Sequence, residues 1–229
     1  MRHLRTRSPR ALLVVLSVLP TVGLPAFATS LKEMYDLAAP GPGHDKEIVL
    51  ETGVVYTGGL WVGKTFNRID AKFEGPEEDV RIVGNGAILD LQGGEITIGY
   101  SNNRLDIEDC VIVNGSVRYR GYEDSFFHLV PEGSVRYVTF YEPHDYGVRM
   151  VACGAGILIE RNIFVDAVDT GLDFLPLTGE FSDWLPTGVN LSISNNSGGN
   201  DIFNNWSFHS DPLVNAALVN HFAIICDYG

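Results

Sequence analysis

An internal repeat of about two dozen residues is the feature that most constrains how this chain folds. Four segments each carry an apolar residue at their first position and another five positions later, and they begin at Val83, Ile107, Val135 and Ile159. Their starts are 24, 28 and 24 residues apart, and a weaker fifth copy begins 34 residues further on, at Ile193. Units of this length cannot bury an apolar face alone and must stack on their neighbours. The repeat therefore predicts a solenoid.

Stacking the copies at these spacings predicts three columns of side chains. The first holds Val83, Ile107, Val135, Ile159 and Ile193; the second holds Ile88, Ile112, Phe140 and Phe164; the third holds Gly86, Cys110, Val138, Asn162 and Asn196. The columns are rich in β-branched and aromatic residues, with Gly, Asn and Asp between them, which favours short strands joined by turns. A long helical period and a leucine-rich frame are both missing after residue 40. The prediction is an all-β parallel β-helix.

The N-terminal segment predicts a helix that caps this solenoid. Ser30 and Glu33 form a capping-box pattern at the start of an amphipathic stretch, Leu31–Ala38. Pro40–Gly43 ends that stretch, and Glu47–Gly59 follows as the first strand and turn. A solenoid end exposes core and unpaired backbone, so a cap is needed there.

Two segments resemble a known superfamily. The opening, with its helix, Pro-Gly turn, Ile-Val-Leu and Val-Tyr-Thr-Gly, and the stretch Val80–Gly115, with its phrase Leu-Asp-Ile-Glu-Asp-Cys-Val-Ile-Val-Asn-Gly, resemble right-handed parallel β-helix proteins of the pectate-lyase-like superfamily. The opening is also similar to the N-terminal coils of chondroitinase-B-like polysaccharide lyases. The resemblance covers about residues 30–205 and implies a right-handed β-helix that interacts with polysaccharide. The lyases carry catalytic Lys and Arg with Ca²⁺ ligands in later coils, and those motifs have no residue-by-residue match here.

The predicted organisation has four parts. Residues 1–28 are a signal peptide, because four arginines precede the apolar run Ala11–Leu19 and Ala26-Phe27-Ala28 fits the cleavage pattern. Residues 29–46 form the capping helix and turn, and 47–205 form the coils. For 206–229 two alternatives remain: a tail that folds back, or a last coil cut from a longer β-helix. The signal predicts secretion, extracellular or periplasmic, without membrane insertion after cleavage.

The charge narrows the choice of partners. The chain has 16 Lys+Arg and 29 Asp+Glu, a net charge of −13, which becomes −17 without the four arginines of the signal peptide. Such a surface repels nucleic acid. It also makes bound Ca²⁺ a candidate cofactor, since this cation binds several carboxylate or carbonyl oxygens. The alternative is that the negative charge only keeps the protein soluble.

Several acidic and basic residues are candidates for chemistry. A polar column at one corner comprises Asp90, Asn114, Glu142, Asp166 and Asn200, either as a hydrogen-bonded ladder or as a carboxylate pair suited to glycoside hydrolysis. The turn after one repeat strand supplies the catalytic candidates Glu142, His144 and Arg149, which join Asp166, with Lys64 as another cation. A lyase needs such a base and a cation beside the substrate carboxylate.

The predicted metal ligands are Asp166, Asp169 and Asp173, and the alternative is a solvated acidic turn.

Aromatic residues are candidates for sugar contact. Tyr119, Tyr122 and Tyr146 are the predicted carbohydrate-binding residues, with Trp61, Tyr100 and Tyr137 among further candidates, whereas Phe126 and Phe127 are predicted to lie in the core. Cys110 is predicted to be a buried apolar residue, and a disulfide between two of the three cysteines stays open.

The sequence thus predicts a secreted β-helix that interacts with extracellular or cell-surface polysaccharide. Two alternatives stay open. One is a cation-dependent polysaccharide lyase or a glycoside hydrolase; the other is a structural or adhesive solenoid.

Overall fold

A computed structural model describes residues 29–123, 126–143, 146–151 and 156–166 and the strands at 191–194, 201–203 and 206–208. It contains one helix, α1 (Leu31–Leu37), among these residues. The strands in chain order are β1 (Thr29–Ser30), β2 (Ala39–Gly41), β3 (His44–Val49), β4 (Val55–Thr57), β5 (Leu60–Gly63), β6 (Thr65–Asn67), β7 (Lys72–Glu74), β8 (Val80–Asp90), β9 (Glu95–Gly99), β10 (Arg104–Val113), β11 (Ser116–Arg120), β12 (Tyr122–Glu123), β13 (His128–Leu129), β14 (Glu132–Arg136), β15 (Thr139–Tyr141), β16 (Val148–Val151), β17 (Ile157–Glu160), β18 (Ile163–Val165), β19 (Leu191–Ser194), β20 (Asp201–Phe203) and β21 (Trp206–Phe208).

The strands form three parallel stacks, which the chain visits in the same order on every circuit. Stack 1 contains β3, the first part of β8, the first part of β10, β14, β17 and β20. Stack 2 contains β1, β4, the second parts of β8 and β10, β15, β18 and β21. Stack 3 contains β5, β9, β11, β16 and β19. The chain is therefore an all-β protein with long parallel sheets and a solenoid-like course.

The core lies between the stacks and is built from columns of matching side chains. The inward residues, each at most 3% exposed, include Ile48, Ile82, Ile107, Val135 and Ile159 in stack 1, Tyr56, Leu89, Ile112, Phe140 and Phe164 in stack 2, and Leu60, Ile96, Val117 and Val148 in stack 3. The rings of Phe140 and Phe164 stack 4.9 Å apart and only 9° from parallel. Each coil thus buries its apolar side chains on the coils beside it.

The columns predicted from the sequence need two corrections in register. Ile107 pairs with Ile82, not Val83, and Ile112 pairs with Leu89, not Ile88. The reason is the turn at Gly84–Gly86, which is two residues longer than the single residue Asp109 that occupies the same corner of β10. The offset between the two coils is therefore 25 residues before the turn and 23 after it, and the assumed offset of 24 fits neither strand.

The fifth copy of the repeat was also misplaced. Ile193 pairs with Met150 in stack 3, whereas the partner of Ile159 in stack 1 is Ile202. In the third column Cys110 pairs with Ala87 instead of Gly86. Asn196, the last predicted member of this column, and Asn200, the last predicted member of the polar column, lie outside the described residues.

Helix α1 begins where the capping-box pattern predicts. The Glu33 carboxylate accepts a hydrogen bond from the backbone N–H of Ser30 at 3.3 Å. Leu31 and Tyr35 are buried against the coils, and the Tyr35 hydroxyl donates to Glu78 at 2.6 Å. Burial and the Glu78 carboxylate raise the pKa of Tyr35 well above its ordinary value. Within the described residues, no helix is long and apolar enough to cross a membrane.

Candidate functional site

The outer face of stack 3 carries the densest group of aromatic and arginine side chains among the described residues. In each of its strands the apolar residues alternate with residues that point away from the core, because successive side chains of a strand face opposite sides. The outward residues that pair in register across these strands are Trp61, Thr97, Arg118 and Arg149. This alternation sets two arginines side by side on neighbouring strands.

An arginine cluster forms around Glu95 on this face, and we define it as Glu95, Arg118, Tyr146 and Arg149. The Glu95 carboxylate accepts hydrogen bonds from the Tyr146 hydroxyl and from Arg118 Nη1, the latter at 3.5 Å. The Arg149 guanidinium lies over the Tyr146 ring, 5.4 Å from its centroid. The Nε atoms of Arg118 and Arg149 are buried and have no hydrogen-bond partner. Among the residues that the structure describes, one acid, Glu95, lies beside the two guanidiniums of this cluster.

The Tyr146 hydroxyl is held in its protonated form. Burial raises its pKa, and the hydrogen bond to Glu95 raises it further, while Arg149 and Arg118 act in the opposite direction. A phenol with a raised pKa is a poor general base at neutral pH. Tyr146 is therefore suited to donating a hydrogen bond and to holding the cluster in place.

An aromatic cluster lies on stack 3 and on the two hairpins that leave it, β6–β7 and β12–β13. Its members are Trp61, Phe66, Phe73, Tyr100, Tyr122 and Phe127. Phe73 lies at the centre, with ring centroids of four neighbours 5.0 to 5.2 Å away. The Arg120 guanidinium covers the Tyr100 ring at 4.9 Å, and Arg120 follows Arg118 on β11. The aromatic cluster thus meets the arginine-bearing strand.

Much of this aromatic surface is open to solvent. Trp61 is 38% exposed, Phe66 45% and Tyr122 40%. The Trp61 ring lies directly over Gly99, since a Cβ added at that glycine would stand 2.3 Å from the ring. Exposed rings of this size in one patch mark a binding surface more often than a random surface feature. The patch presents flat apolar faces beside guanidinium donors.

The sequence predicted this surface only in part. Tyr122 is exposed, as predicted, and Tyr146 lies in the arginine cluster. The expected exposure of Tyr119 is wrong, because Tyr119 faces inward on β11, is wholly buried and donates its hydroxyl to the Leu105 carbonyl at 2.7 Å. The predicted burial of Phe126 and Phe127 is also wrong, since they are 88% and 37% exposed on the β12–β13 hairpin.

Two members of the aromatic cluster, Phe66 and Phe73, were missed in the sequence. They pair across the antiparallel hairpin β6–β7. A signal was present: each phenylalanine is flanked by polar residues, and a loop of only four residues, 68–71, separates the two triplets. That pattern is typical of a hairpin with its aromatic residues on one side.

The predicted catalytic residues do not assemble into one site within the described part of the chain. Glu142 and Asp166 do share a corner, since they follow β15 and β18 and the Glu142 N–H donates to the Val165 carbonyl at 2.8 Å. Arg149 instead lies on the outer face of stack 3. Lys64 pairs with Glu77. His144 lies outside the described residues.

The predicted metal site is only partly described. Asp169 and Asp173 lie outside the described residues, so the proposed ligand set with Asp166 has no geometry here. Among the described residues, no group of three or more His, Cys, Asp or Glu side chains could hold a metal ion. Cys110 is buried and free, as predicted, while Cys153 and Cys226 lie outside the description.

A second polar cluster, which the sequence did not suggest, lies on stack 1. The Asp106 carboxylate contacts Ser134 Oγ at 2.6 Å, His44 Nε2 at 2.8 Å and Arg104 Nε at 2.6 Å. The carboxylate lies between the serine and the histidine, so the imidazole cannot take the serine proton as it does in a nucleophilic triad. Asp106 and Ser134 are also buried. The cluster joins three strands of stack 1, because His44 is on β3, Asp106 on β10 and Ser134 on β14.

Comparison with known proteins gives no relative from which a function could be transferred. No family model, no curated protein and no solved structure matches the chain.

Proposed function

We propose that this protein is a secreted right-handed parallel β-helix, capped by α1, which binds polysaccharide on the outer face of stack 3. The repeated circuit through three parallel stacks supports the β-helix, and the residue pattern of 1–28 supports secretion. The binding surface is the aromatic cluster together with the arginine cluster. One observation carries the proposal: exposed rings and guanidiniums with unpaired Nε atoms lie on the same face.

The chemistry of the face matches that of a sugar chain. Sugars present apolar C–H faces that pack on aromatic rings and hydroxyl groups that accept hydrogen bonds from guanidinium groups. Trp61 and Tyr122 supply the rings, and Arg118 and Arg149 supply the donors. The strands of stack 3 are stacked ~4.8 Å apart. The face therefore extends along the solenoid and suits an extended polymer more than a single small molecule.

Charge affects which glycans bind. The protein carries a net charge of −13, so its overall field opposes an acidic polymer. The arginine cluster places two guanidiniums on this face, beside Glu95. A neutral polysaccharide would depend on the rings, whereas an acidic one would depend mainly on Arg118 and Arg149 and would bind more weakly as salt increases.

The enzyme alternative ranks second. A lyase or hydrolase needs a base or acid pair and a cation on the same surface. Here the neighbouring carboxylates Glu142 and Asp166 follow strands of stack 2, while Arg149 lies on stack 3. Tyr146, beside Arg149, is held protonated. Binding without turnover accounts for this arrangement with fewer assumptions.

The test is a binding assay with residues 29–229 against neutral and uronate polysaccharides. We expect Tyr122→Ala and Arg149→Ala each to weaken binding by ~10-fold, which corresponds to about 1.4 kcal/mol. Matched controls are Tyr137→Ala and Arg161→Ala. These two residues also form a cation–π pair, at 5.5 Å, but on a corner between stacks 1 and 2.

Equal losses in the control variants, or no binding of any polymer by the folded protein, would contradict the proposal. Turnover is measured in the same samples, with Ca²⁺ and then with chelator. Unsaturated product that disappears with chelator would establish the lyase, and new reducing ends without unsaturation would establish the hydrolase. Tyr119→Phe serves as an internal check, because a buried tyrosine should leave affinity unchanged.

A further inference from the structure

The indole of Trp61 lies against the backbone of the neighbouring strand. A Cβ added at Gly99 would stand 2.3 Å from Cζ2 of the indole, 2.8 Å from Cη2 and 3.1 Å from Cε2. Distances of this size to three adjacent ring atoms place that Cβ above the ring face and not at its edge. One face of the indole is therefore covered by the backbone at Gly99. The 38% of Trp61 that stays exposed belongs to the opposite face and to the ring edges.

The ring can take this position because residue 99 has no side chain. Gly99 lies on β9 two residues after Thr97, the partner of Trp61, so the indole reaches diagonally across the strand. Its φ is not in the positive region, and its backbone conformation is therefore open to any residue. The three atoms nearest to an added Cβ all belong to Trp61. Gly99 is thus required by the indole and not by the backbone.

A second ring borders the exposed face of Trp61. The ring centroid of Tyr100 lies 6.3 Å from that of Trp61, and the two planes are tilted by 49°. Phe73 contacts Tyr100 at 5.0 Å, and the Arg120 guanidinium covers it at 4.9 Å, which holds the tyrosine ring in place. Trp61 therefore supplies a floor, and Tyr100 a side wall, for one sugar ring.

The floor continues towards the arginine cluster. Arg118 and Arg149 follow Trp61 in the same outward column, two and three strands along, at ~10 Å and ~14 Å. Thr97, between Trp61 and Arg118, is only 2% exposed, so its neighbours close over it. A sugar ring stacked on the indole lies parallel to this surface. The next sugars reach the arginines only if their rings stay close to the same plane.

The linkage between sugars decides whether a glycan meets this condition. A linkage that is equatorial on both sugars keeps successive rings nearly coplanar, and the chain is a flat ribbon. A linkage that is axial on either sugar turns the next ring out of the plane, and the chain coils. Rings with equatorial substituents also present axial C–H groups on both faces, which pack well on an indole.

We propose that Trp61, oriented by Gly99, binds one ring of a flat, equatorially linked glycan and selects such chains over coiled ones. The inference rests on the proposed function, because it specifies the class of glycan that the outer face of stack 3 binds. Gly99 itself contacts no sugar in this arrangement. It is a positioning residue that acts through the indole.

The test compares two neutral glucose hexasaccharides that differ only in their linkage, cellohexaose with equatorial linkages and maltohexaose with axial ones. We expect the wild type to bind cellohexaose ~10-fold more tightly in calorimetric titrations. Trp61→Ala and Gly99→Ala should each weaken cellohexaose binding ~10-fold and remove the preference. The matched control is Gly94→Ala, which adds the same methyl group just before β9. Its nearest atom is the Leu91 carbonyl oxygen at 3.0 Å, and none of its three nearest atoms belongs to a ring.

A double variant tests the positioning role of Gly99. In a Trp61→Ala background, Gly99→Ala should cause no further loss, because the indole through which it acts is gone. Cellohexaose should also change the tryptophan emission of the wild type but not that of Trp61→Ala, which keeps the other two tryptophans. If circular dichroism shows that Gly99→Ala is unfolded, Trp61→Leu takes its place, since it keeps an apolar cover and should still lose the preference.

The outcomes separate this inference from the proposed function. Equal wild-type affinity for the two hexasaccharides, unchanged cellohexaose binding in folded Gly99→Ala, or a further loss in the double variant overturns the inference. If Tyr122→Ala and Arg149→Ala still weaken polysaccharide binding in that case, the proposed function stands without it. If the folded wild type binds no polysaccharide, both are overturned.

Discussion

At the scale of the residue, Cys110 makes the stability of the fold depend on pH. Its thiol is buried in the corner between stacks 1 and 2, and this burial, with a smaller effect of Asp109, raises its pKa to about 12 from 9.0. A group whose pKa is raised in the folded state contributes stability below its unfolded pKa. That contribution is lost as the pH rises from about 9 towards 12. The thiol therefore destabilises the fold only in alkali.

Replacing Cys110 tests this linkage. We expect Cys110→Ala to cost about 1 kcal/mol at pH 7, where it loses one buried atom. Between pH 9 and 10.5 the wild type should lose stability more steeply than the variant, by up to ~1.4 kcal/mol per pH unit for one proton. Urea denaturation at several pH values measures both slopes. Parallel slopes would show that Cys110 does not titrate differently in the folded state.

Asn162 is a buried polar residue whose side-chain amide hydrogen-bonds to backbone groups of the neighbouring coil. Its Oδ1 accepts from the Val138 N–H and its Nδ2 donates to the Val135 carbonyl, both at 2.9 Å. The sequence placed Asn162 correctly in a column with Cys110 and Val138. The sequence pattern alone did not explain why an amide is buried here. The amide is required because the neighbouring coil bends between Val135 and Val138, and the backbone groups at this bend need hydrogen-bond partners.

At the scale of the element, the corner after stack 2 repeats one backbone conformation. Asn114, Glu142 and Asp166 have φ of 52°, 48° and 47°, in the left-handed region where Asn is tolerated better than Glu. The two acids also follow paired strands, so their carboxylates repel each other. The sequence predicted this column and left open whether it is a ladder or a catalytic pair.

A substitution separates the two interpretations of the corner. We expect Glu142→Asn to stabilise the protein by ~0.5–1 kcal/mol, because Asn fits the left-handed conformation and removes one negative charge. Glu132→Asn is the control, since Glu132 is exposed on the strand β14 and lacks that conformation. Thermal denaturation measures both. If Glu142→Asn abolishes a polysaccharide-cleaving activity of the wild type, the corner is catalytic and the ladder interpretation is wrong.

At the scale of the whole molecule, stability should propagate from coil to coil. Ile107 pairs with Ile82 on one side and with Val135 on the other, whereas Ile48, in the first coil, pairs with Ile82 alone. In a stack of this kind each coil depends mainly on its direct neighbours. A defect in the middle therefore weakens two contacts between coils, and a defect at the end weakens one.

Hydrogen exchange can measure this propagation. We expect Ile107→Ala and Ile48→Ala each to cost ~2–5 kcal/mol locally, as large-to-small core substitutions do. Exchange should accelerate in both β8 and β14 for Ile107→Ala, but only in the first coils for Ile48→Ala. Uniform acceleration along the whole chain in both variants would instead show that the molecule unfolds as one cooperative unit.

The sequence by itself determined the parallel stacking, the short strands and the inward columns, because apolar periodicity within a strand decides which side chains face the core. It also located the N-terminal helix through Ser30 and Glu33. Alternation on β11, if applied to Tyr119 and Arg118, would have predicted that the tyrosine is buried and the arginine exposed.

Only the tertiary structure decided the register and the surface sites. Register depends on turn length, and two extra residues at Gly84–Gly86 shift β8 against β10 in opposite directions on the two sides of the corner. The aromatic cluster joins Phe73 to Tyr122 and Phe127 from a separate hairpin. The arginine cluster joins Glu95 to Tyr146, 51 residues away. Such contacts follow from how coils lie on one another, which no local pattern encodes.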